Sequence, residues 1–393
     1  MEVRARAPGK IILSGEHAVV HGSTAVAASI NLYTQVSLRI AGDSESGDRL
    51  LKLQLKDVGL EFSWPTGRVR EALPELSTPS ASSPTTCSPE FMKSIAALVE
   101  EQNIPEANGG LAAGVSAFLW LYASIQGCKP ATVVVTSDLP LGAGLGSSAA
   151  FCVALSGAFL ALSDAVSWNV DLNHPAWLSF GENDLELINR WAFEGEKIIH
   201  GKPSGVDNTV STFGNMIMFK SGNLTRIKPN VPLRMLITNT RVGRNTKALV
   251  AGVSERTLRH PDAMTYVFNA IDSISKELSS IIQLPAPSEV AVTEKEAKLE
   301  ELMEMNQGML QCIGVSHTSI EAVLQTTLKY KLTSKLTGAG GGGCVLTLLP
   351  SLLAGNVVDK VIAELESCGF QCLIAGIGGN GVEVCFNSRP DFF

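Results

Sequence analysis

The residues with the clearest potential for chemistry form a glycine-rich stretch in the middle of the chain. Residues 140–150 have the sequence P-L-G-A-G-L-G-S-S-A-A, between a β-branched run and a long apolar run. Glycines let the backbone turn tightly and bring its N–H groups against an anion, and a helix beginning near Ser147 would add the positive end of its dipole. The stretch therefore predicts a phosphate-binding loop, formed by Gly142, Ala143, Gly144, Leu145, Gly146, Ser147 and Ser148.

Two widespread phosphate-binding motifs do not fit this loop. The P-loop needs a lysine directly after its last glycine, and none follows Gly146. The dinucleotide-binding fingerprint needs its third glycine one residue later. Taken alone, such a turn is equally well explained as a tight connection between a strand and a helix, with no ligand. The hydroxyl of Ser148, at the start of the helix, could also contact a Mg²⁺ ion that bridges phosphates.

Two carboxylates and a lysine outside the loop are further candidates for chemistry. Glu196 lies beside the apolar face of a predicted helix over 183–200, Asp207 follows in a loop, and Lys10 belongs to the string A-P-G-K. Taken singly, they are explained as a solvated glutamate, a helix-capping aspartate and a lysine in an ordinary turn. Beside a phosphate loop, they predict a Mg²⁺ ligand, a carboxylate base and a cation, which phosphoryl transfer requires.

The strings around these residues resemble those of a known kinase superfamily. The middle motif is similar to the phosphate-binding motif of the galactokinases, homoserine kinases, mevalonate kinases and phosphomevalonate kinases. Within that superfamily, A-P-G-K followed by G-E-H-A-V-V-H-G at 15–22 resembles the mevalonate kinases, as does W-A-F-x-G-E at 191–196 followed by H-G-x-P-S-G-V-D-N. The string L-T-G-A-G-G-G-G at 336–343 resembles the third glycine motif of the superfamily.

The resemblance implies a fold and an activity. The fold is α+β with two lobes and the active site in the cleft between them. Residues 1–229 would form the N-terminal lobe, with the phosphate loop and catalytic aspartate, and residues 230–393 the C-terminal lobe. The activity is ATP-dependent phosphorylation of the primary hydroxyl of mevalonate to 5-phosphomevalonate, with Mg²⁺. The alternatives are another kinase of the superfamily, such as phosphomevalonate kinase or galactokinase, or a non-catalytic nucleotide-binding sensor.

The resemblance also implies roles for individual residues. Asp207 would accept the proton of the attacking hydroxyl, and Lys10 would bind ATP and offset charge on the γ-phosphate. Ser148 and Glu196 would hold Mg²⁺, and Ser137 would contact ATP. The substrate would be bound by Glu16, His17 and Gly340, and the candidates for binding its carboxylate are Arg244, Thr246 and Lys247.

Two of these assignments leave alternatives open. Arg244 and Lys247 lie in a cationic turn before a predicted helix, and because such charges oppose the helix dipole they are either solvated or held for an anionic ligand. Family members often have an asparagine contact with ATP in the early sheet. That position falls at Asp57 here, so the contact is in doubt.

Composition and charge limit which partners and which cellular location are expected. The 393 residues are 45% hydrophobic, which is enough for two domains sharing a cleft. The net charge is −7 without a long basic run, so neither nucleic acid nor an anionic membrane is an expected partner. The N-terminus lacks an apolar signal core and the longest apolar run, 149–162, is too short for a bilayer. We expect a cytoplasmic protein, with peroxisomal association left open. The resemblance adds a homodimer and feedback inhibition by prenyl diphosphates at the ATP phosphate site.

Periodicity and turn residues predict the elements that must position these groups. Short strands are expected on either side of a turn at Pro8-Gly9. A stretch rich in serine, proline and threonine at 77–89 is expected to be a loop. Further strands are predicted over 25–31, 34–40, 50–55, 132–136, 216–219, 235–240, 345–349, 371–375 and 382–386. Helices are predicted over 91–102, 110–125, 147–162, 183–200, 248–258, 263–282, 294–313 and 356–367.

Overall fold

The computed structural model describes residues 2–41, 49–74, 80–104, 109–166, 168, 176–230 and 232–387. The strands are β1 (Glu2–Ser14), β2 (Ala25–Ile40), β3 (Leu50–Leu55), β4 (Leu60–Pro65), β5 (Ala131–Ser137), β6 (Leu178–Ser179), β7 (Met216–Lys220), β8 (Asn223–Ile227), β9 (Leu233–Asn239), β10 (Ser334–Leu336), β11 (Cys344–Leu348), β12 (Gln371–Ile377) and β13 (Glu383–Asn387). The helices are α1 (Thr66–Ala72), α2 (Pro89–Glu100), α3 (Gly109–Gln126), α4 (Ser147–Ala161), α5 (Glu182–His200), α6 (Val206–Phe213), α7 (Thr246–Arg259), α8 (Pro261–Gln283), α9 (Glu289–Cys312), α10 (Thr318–Lys329) and α11 (Gly355–Ser367).

A single mixed sheet connects the described strands. Its main path runs β10-β11-β9-β12-β2-β1-β13-β6, and β2 also pairs with β5 at one end and with β7 at the other. The pairing of β3 with β5 is parallel, and the neighbouring pairs of the main path are antiparallel. Helices and strands are both abundant, and the predicted α+β class is confirmed. The division into lobes at residue 229 stays a prediction.

The first strand corrects a prediction. No turn separates two strands at Pro8-Gly9, because β1 continues through them as one strand with a shift of register against β2. Tyr33 pairs with Pro8 and Ile30 with Gly9, so β2 accommodates the shift with extra residues and is likewise one strand rather than the predicted two. The turn residues therefore mark a β-bulge, which proline and glycine also favour.

Close packing explains the glycine at the bulge. A side chain on Gly9 would place its Cβ 2.5 Å from the side chain of Leu139 and 2.8 Å from the carbonyl oxygen of Leu145. The backbone N–H of Lys10 donates to that same carbonyl over 2.8 Å. The strand that carries Lys10 thus passes directly against the predicted phosphate loop.

The helix after the loop lies at the centre of the main core. α4 packs against β1, β2, α3 and α5, and it is buried along nearly its whole length, as its apolar sequence predicts. Other predicted elements agree with the structure to within a few residues. The exceptions are α1, α6, α10, β4, β6, β8 and β10, which the sequence patterns did not indicate, and Asp207, predicted to lie in a loop, belongs to the first turn of α6.

The predicted loop at 77–89 is a loop over nearly all of its described residues. Within 77–89, residues 77–79 lie outside the described part of the chain, residues 80–88 form neither helix nor strand, and Pro89 begins α2. Among the described residues, no helix is both long and apolar enough to cross a membrane.

Candidate active site

A cleft of about 1240 Å³ brings together most of the predicted site residues. Its walls come from the end of β1, the segment before α4, the start of α6, the start of α7 and the third glycine motif. The predicted residues that line it are Lys10, Glu16, His17, Ser137, Gly142, Gly144, Gly146, Ser147, Ser148, Asp207, Arg244, Thr246 and Lys247. Ala143, Leu145, Glu196 and Gly340 do not line it, although all four lie in segments that do.

The predicted cation and the predicted base form an ion pair in this cleft. Nζ of Lys10 lies 3.0 Å from Oδ2 of Asp207, with the lysine side chain buried and the carboxylate about one-third exposed. Lys10 is on β1, whereas Asp207 is in the first turn of α6. The Ser211 hydroxyl of α6 donates to the carbonyl oxygen of Pro8 over 2.7 Å, which fixes the helix to the strand.

The glycine loop has a backbone that other residues rarely adopt. Gly142, Gly144 and Gly146 have φ angles of 70°, 82° and 73°, in the left-handed region that favours glycine. Gly146 precedes the first turn of α4, and no side chain caps that helix. Its first N–H groups are therefore available to an anion in the cleft.

Arg244 lies between the phosphate loop and the third glycine motif. A Cβ on Gly144 would stand 1.5 Å from its Nη2, and one on Gly343 would stand 2.5 Å from its Nη1. Burial lowers the pKa of Arg244, and its Nη1 atom has no hydrogen-bond partner among the described residues. Because Gly144 and Gly343 have no side chains, the guanidinium of Arg244 fits between the two glycine motifs, where it is free to bind an anion.

Ser148 and Glu196 lie near each other at the start of α4, but a histidine takes part as well. The Ser148 hydroxyl is 3.0 Å from Nε2 of His200, and Oε1 of Glu196 is 4.0 Å from that same nitrogen. Burial, followed by the charge of Asp207, raises the pKa of Glu196 to about 7. Oε1 of Glu196 is buried and accepts no hydrogen bond within the described structure.

These two oxygen groups fit a Mg²⁺ ion. A hydroxyl beside an unsatisfied buried carboxylate oxygen supplies the hard ligands that Mg²⁺ prefers, and Mg²⁺ in phosphate sites takes few ligands from protein. No group of three or more His, Cys, Asp or Glu side chains suited to a metal occurs in the described residues. Phosphate oxygens and water would therefore complete the coordination.

The first and third motifs meet on the other side of the cleft. Oε1 of Glu16 lies 2.5 Å from Nζ of Lys335, and both side chains are fully buried. Nε2 of His17 lies 2.8 Å from the carbonyl oxygen of Ala339. Gly340 instead packs against Val315, because a Cβ there would stand 2.1 Å from the Val315 carbonyl oxygen.

Asp57 contacts the residue predicted to bind ATP. Its Oδ2 accepts a hydrogen bond of 2.6 Å from the backbone N–H of Ser137, and both residues line the cleft. The Ser137 hydroxyl lies 2.8 Å from that of Thr34 on β2. Asp57 therefore supports Ser137.

The family models for the GHMP kinases N terminal domain and the GHMP kinases C terminal match residues 113–215 and 291–367. Mevalonate kinase from Arabidopsis thaliana is 65% identical over 387 residues, covering 98% of this chain and 100% of the relative. The chain belongs to the mevalonate kinase family. Mevalonate kinase from Homo sapiens is 41% identical, covering 96% of this chain and 93% of the relative.

Solved structures show that the fold is that of the mevalonate kinase family. The crystal structure of L. major mevalonate kinase in complex with R-mevalonate superposes with a TM-score of 0.67 at 20% identity, covering 96% of each chain. The Lactococcus lactis galactokinase complexed with galactose gives a lower TM-score of 0.56 at 17% identity, covering 97% of this chain and 94% of its own. The resemblance to this superfamily predicted from the motifs is confirmed.

The sequence patterns did not indicate three residues that line the cleft or contact residues near it. His200 lies four positions after Glu196, so helical spacing alone would have placed the two side chains together. Ser211 is four positions after Asp207 on α6, and its tie to Pro8 depends on tertiary packing. Lys335 directly precedes the third glycine motif, and a lysine normally indicates a solvent-exposed side chain.

Proposed function

We propose that this protein transfers the γ-phosphoryl group of ATP to the primary hydroxyl of mevalonate, giving 5-phosphomevalonate. The observation that carries the proposal is the Lys10–Asp207 pair, which faces a glycine-rich anion site in a chain 65% identical to Arabidopsis thaliana mevalonate kinase. Further support comes from the solved L. major relative, whose description includes bound R-mevalonate.

Asp207 is the base in this proposal. The substrate oxygen forms a bond to the γ-phosphorus, the bond from that phosphorus to the ADP oxygen breaks, and the hydroxyl proton passes to Asp207. Because phosphoryl transfer has a loose transition state, the hydroxyl loses its proton late and a carboxylate of ordinary strength is sufficient. Lys10, 3.0 Å from the carboxylate, orients it and balances charge on the transferred group.

Ser148 and Glu196 would hold Mg²⁺ in the proposed complex. The ion supplies positive charge to the phosphates of ATP when it is bound. The buried Oε1 of Glu196, without a hydrogen-bond partner in the described part of the chain, supports this assignment. Ser137 and the backbone of residues 142–148 would bind the rest of the nucleotide.

Mevalonate would lie between the two glycine motifs and the end of β1. Arg244 and Thr246, with Lys247, would bind its carboxylate; that all three line the cleft supports this proposal. Glu16 and His17 would contact its hydroxyl groups. Gly340 would act through the shape of the third motif, since it packs against Val315.

Prenyl diphosphates are proposed as feedback inhibitors at the ATP phosphate site. Their diphosphate would take the place of the ATP phosphates, and the tail would follow apolar residues that line the same cleft, including Leu53, Leu55 and Leu111. Each buried methylene would contribute about 0.8 kcal/mol. Inhibition constants should therefore fall as the tail lengthens, with competition against ATP. Competition with mevalonate alone would contradict this site.

A homodimer and a cytoplasmic location, with peroxisomal association left open, complete the proposal. Sedimentation equilibrium of the purified chain tests the first, and microscopy of the tagged chain tests the second. A mass of one chain, or a tagged chain confined to another compartment, would contradict them.

An assay of ADP release tests the proposed reaction. Mevalonate, phosphomevalonate, galactose and homoserine are compared as acceptors at saturating MgATP. We expect turnover with mevalonate and none with the other three. Preference for another acceptor would identify a different kinase of the superfamily, and ATP binding without any turnover would favour a nucleotide sensor.

A further inference from the structure

Lys335 is a fully buried lysine directly behind the wall of the cleft. It belongs to β10, and its Nζ atom contacts Oε1 of Glu16 at 2.5 Å, the carbonyl oxygen of Leu336 at 2.6 Å and that of Ile12 at 3.5 Å. Burial lowers the pKa of Lys335, whereas the charge of Glu16 acts in the opposite direction. A buried ammonium is retained only where such partners compensate it.

Glu16 connects this lysine to the cleft. Its side chain is fully buried, yet the residue lines the cleft together with Lys10 and Asp207. One carboxylate oxygen binds Lys335, whereas Oε2 is buried and has no hydrogen-bond partner in the described ranges. A buried carboxylate oxygen without a donor is costly, and so it indicates a donor that arrives with a ligand.

Hydrogen bonds near Lys335 also connect the third glycine motif to β1. The Thr337 hydroxyl accepts from the backbone N–H of Ile12 and donates to the Ile12 carbonyl, each over 2.9 Å. His17 meets the Ala339 carbonyl at 2.8 Å. Together with the Lys335–Glu16 ion pair, these hydrogen bonds fix the first and third motifs relative to each other. A substitution of Lys335 should therefore affect the cleft through Glu16.

We propose that Lys335 is a positioning residue for the phosphoryl acceptor. Its ammonium holds one oxygen of Glu16 and thereby directs the other oxygen to a hydroxyl of the acceptor. This inference rests on the proposed function, because it takes the acceptor to be an alcohol bound beside Asp207. Lys335 itself touches neither substrate nor nucleotide.

The test compares two buried lysines. Lys335→Met removes the partner of Glu16. Lys295→Met is the matched control, because Lys295 is also buried but donates to the carbonyl oxygens of Ile282 and Leu284, away from the cleft. We expect both variants to lower the Tm. Only Lys335→Met should raise the KM for mevalonate, by about tenfold or more, with the Kd for MgADP unchanged. Equal KM values in the two variants would overturn the proposal.

A double variant keeps the test decisive if Lys335→Met folds poorly. Glu16→Gln together with Lys335→Met removes both buried charges, so its Tm should exceed that of Lys335→Met. If Lys335 acts through Glu16, the KM of the double variant should match that of Glu16→Gln alone. If the effects of the two single substitutions on KM multiply in the double variant, Lys335 does not act through Glu16.

KM is measured for whichever alcohol the wild-type protein phosphorylates in the acceptor comparison. An acceptor other than mevalonate would overturn the proposed substrate, whereas a KM for that acceptor that is insensitive to Lys335→Met would overturn the positioning role.

Discussion

The hydroxyl of Ser211 donates a hydrogen bond of 2.7 Å to the carbonyl oxygen of Pro8, joining two segments 203 positions apart in the chain. Pro8 is two residues before Lys10, and Ser211 is one helical turn after Asp207. The hydrogen bond therefore sets the distance between the lysine and the carboxylate. It also uses the carbonyl oxygen at a bulge, where the strand ladder is irregular.

Ser211→Ala should loosen the Lys10–Asp207 pair. Loss of this buried donor should lower the free energy of unfolding by about 1–3 kcal/mol and lower kcat by up to about 100-fold. Ser254→Ala is the control, because the Ser254 hydroxyl donates only within its own helix, to Val250. Urea denaturation and steady-state kinetics measure the two effects. A loss of stability with unchanged kcat would show that the hydrogen bond has no part in catalysis.

Asp207→Asn should separate turnover from nucleotide binding. The amide cannot accept the hydroxyl proton, so we expect kcat to fall by about 10²–10⁴-fold while the Kd for MgADP changes little. Asp184→Asn makes the same change in the first turn of α5, outside the cleft, and should leave both values intact. Parallel losses of binding and turnover would contradict the role of Asp207 as base.

Glu196→Gln and Ser148→Ala should raise the Mg²⁺ requirement. Each variant removes one proposed ligand, so the Mg²⁺ concentration for half-maximal activity should increase by at least about tenfold. Glu186→Gln, at an exposed position of the same helix as Glu196, is the control. Titration of Mg²⁺ at fixed ATP measures the shift, and a curve that superposes on the wild-type curve would remove the residue from the metal site.

Two glycines of the phosphate loop should respond differently to alanine. Gly142 and Gly144 share a left-handed backbone, so either substitution strains the chain by about 1–2 kcal/mol. Only the Cβ on Gly144 would collide with Arg244, and nothing lies within 4 Å of the one on Gly142. We expect Gly144→Ala to lower kcat/KM at least about tenfold more. In an Arg244→Ala background this difference should disappear, and its persistence would show that Arg244 is not the cause.

Asp272 should make stability depend on acid pH. Burial alone would raise its pKa, but hydrogen bonds from Lys276, Thr24 and Lys220 bring the pKa well below the ordinary value of 3.8. A depressed pKa stabilises the fold above that ordinary value, and the contribution is lost as the pH falls below it.

Asp272→Asn tests this contribution. The control is Asp262→Asn, at an exposed position of the same helix. At pH 7 the first should lower the free energy of unfolding by about 1–3 kcal/mol. The difference from wild type should narrow below pH 4. Denaturation curves from pH 3 to 7 measure it, and a constant difference would contradict the assigned cause.

Local pattern was sufficient for the phosphate loop and for the helices around it. Glycine spacing predicted the turn before α4, and apolar spacing predicted α5 with Glu196 beside its buried face, because both depend on residues close in sequence. The roles assigned to these residues stay predictions. In the third motif, spacing also did not show that Gly340 faces Val315 rather than the cleft.

Long-range pairing explains what the pattern missed. Pro8-Gly9 has the composition of a turn, but pairing with β2 and the contact with Leu145 hold it in a strand. The charge of the buried Lys335 is compensated by a carboxylate, that of Glu16, 319 positions earlier in the chain. The contact of His200 with Ser148 could not be read from spacing because the two residues belong to different helices, although its place beside Glu196 could.

The pairing of β13 with β1 has a consequence for how the protein is made. Residues 2–6 pair with residues 383–387, so the strand that carries Lys10 lacks one neighbour until residues 383–387 have been synthesised. At ribosomal rates this interval is on the order of tens of seconds. During that time the growing chain exposes an open strand edge, which can pair with other nascent chains. We expect the pairing of β1 with β13 to form late in folding.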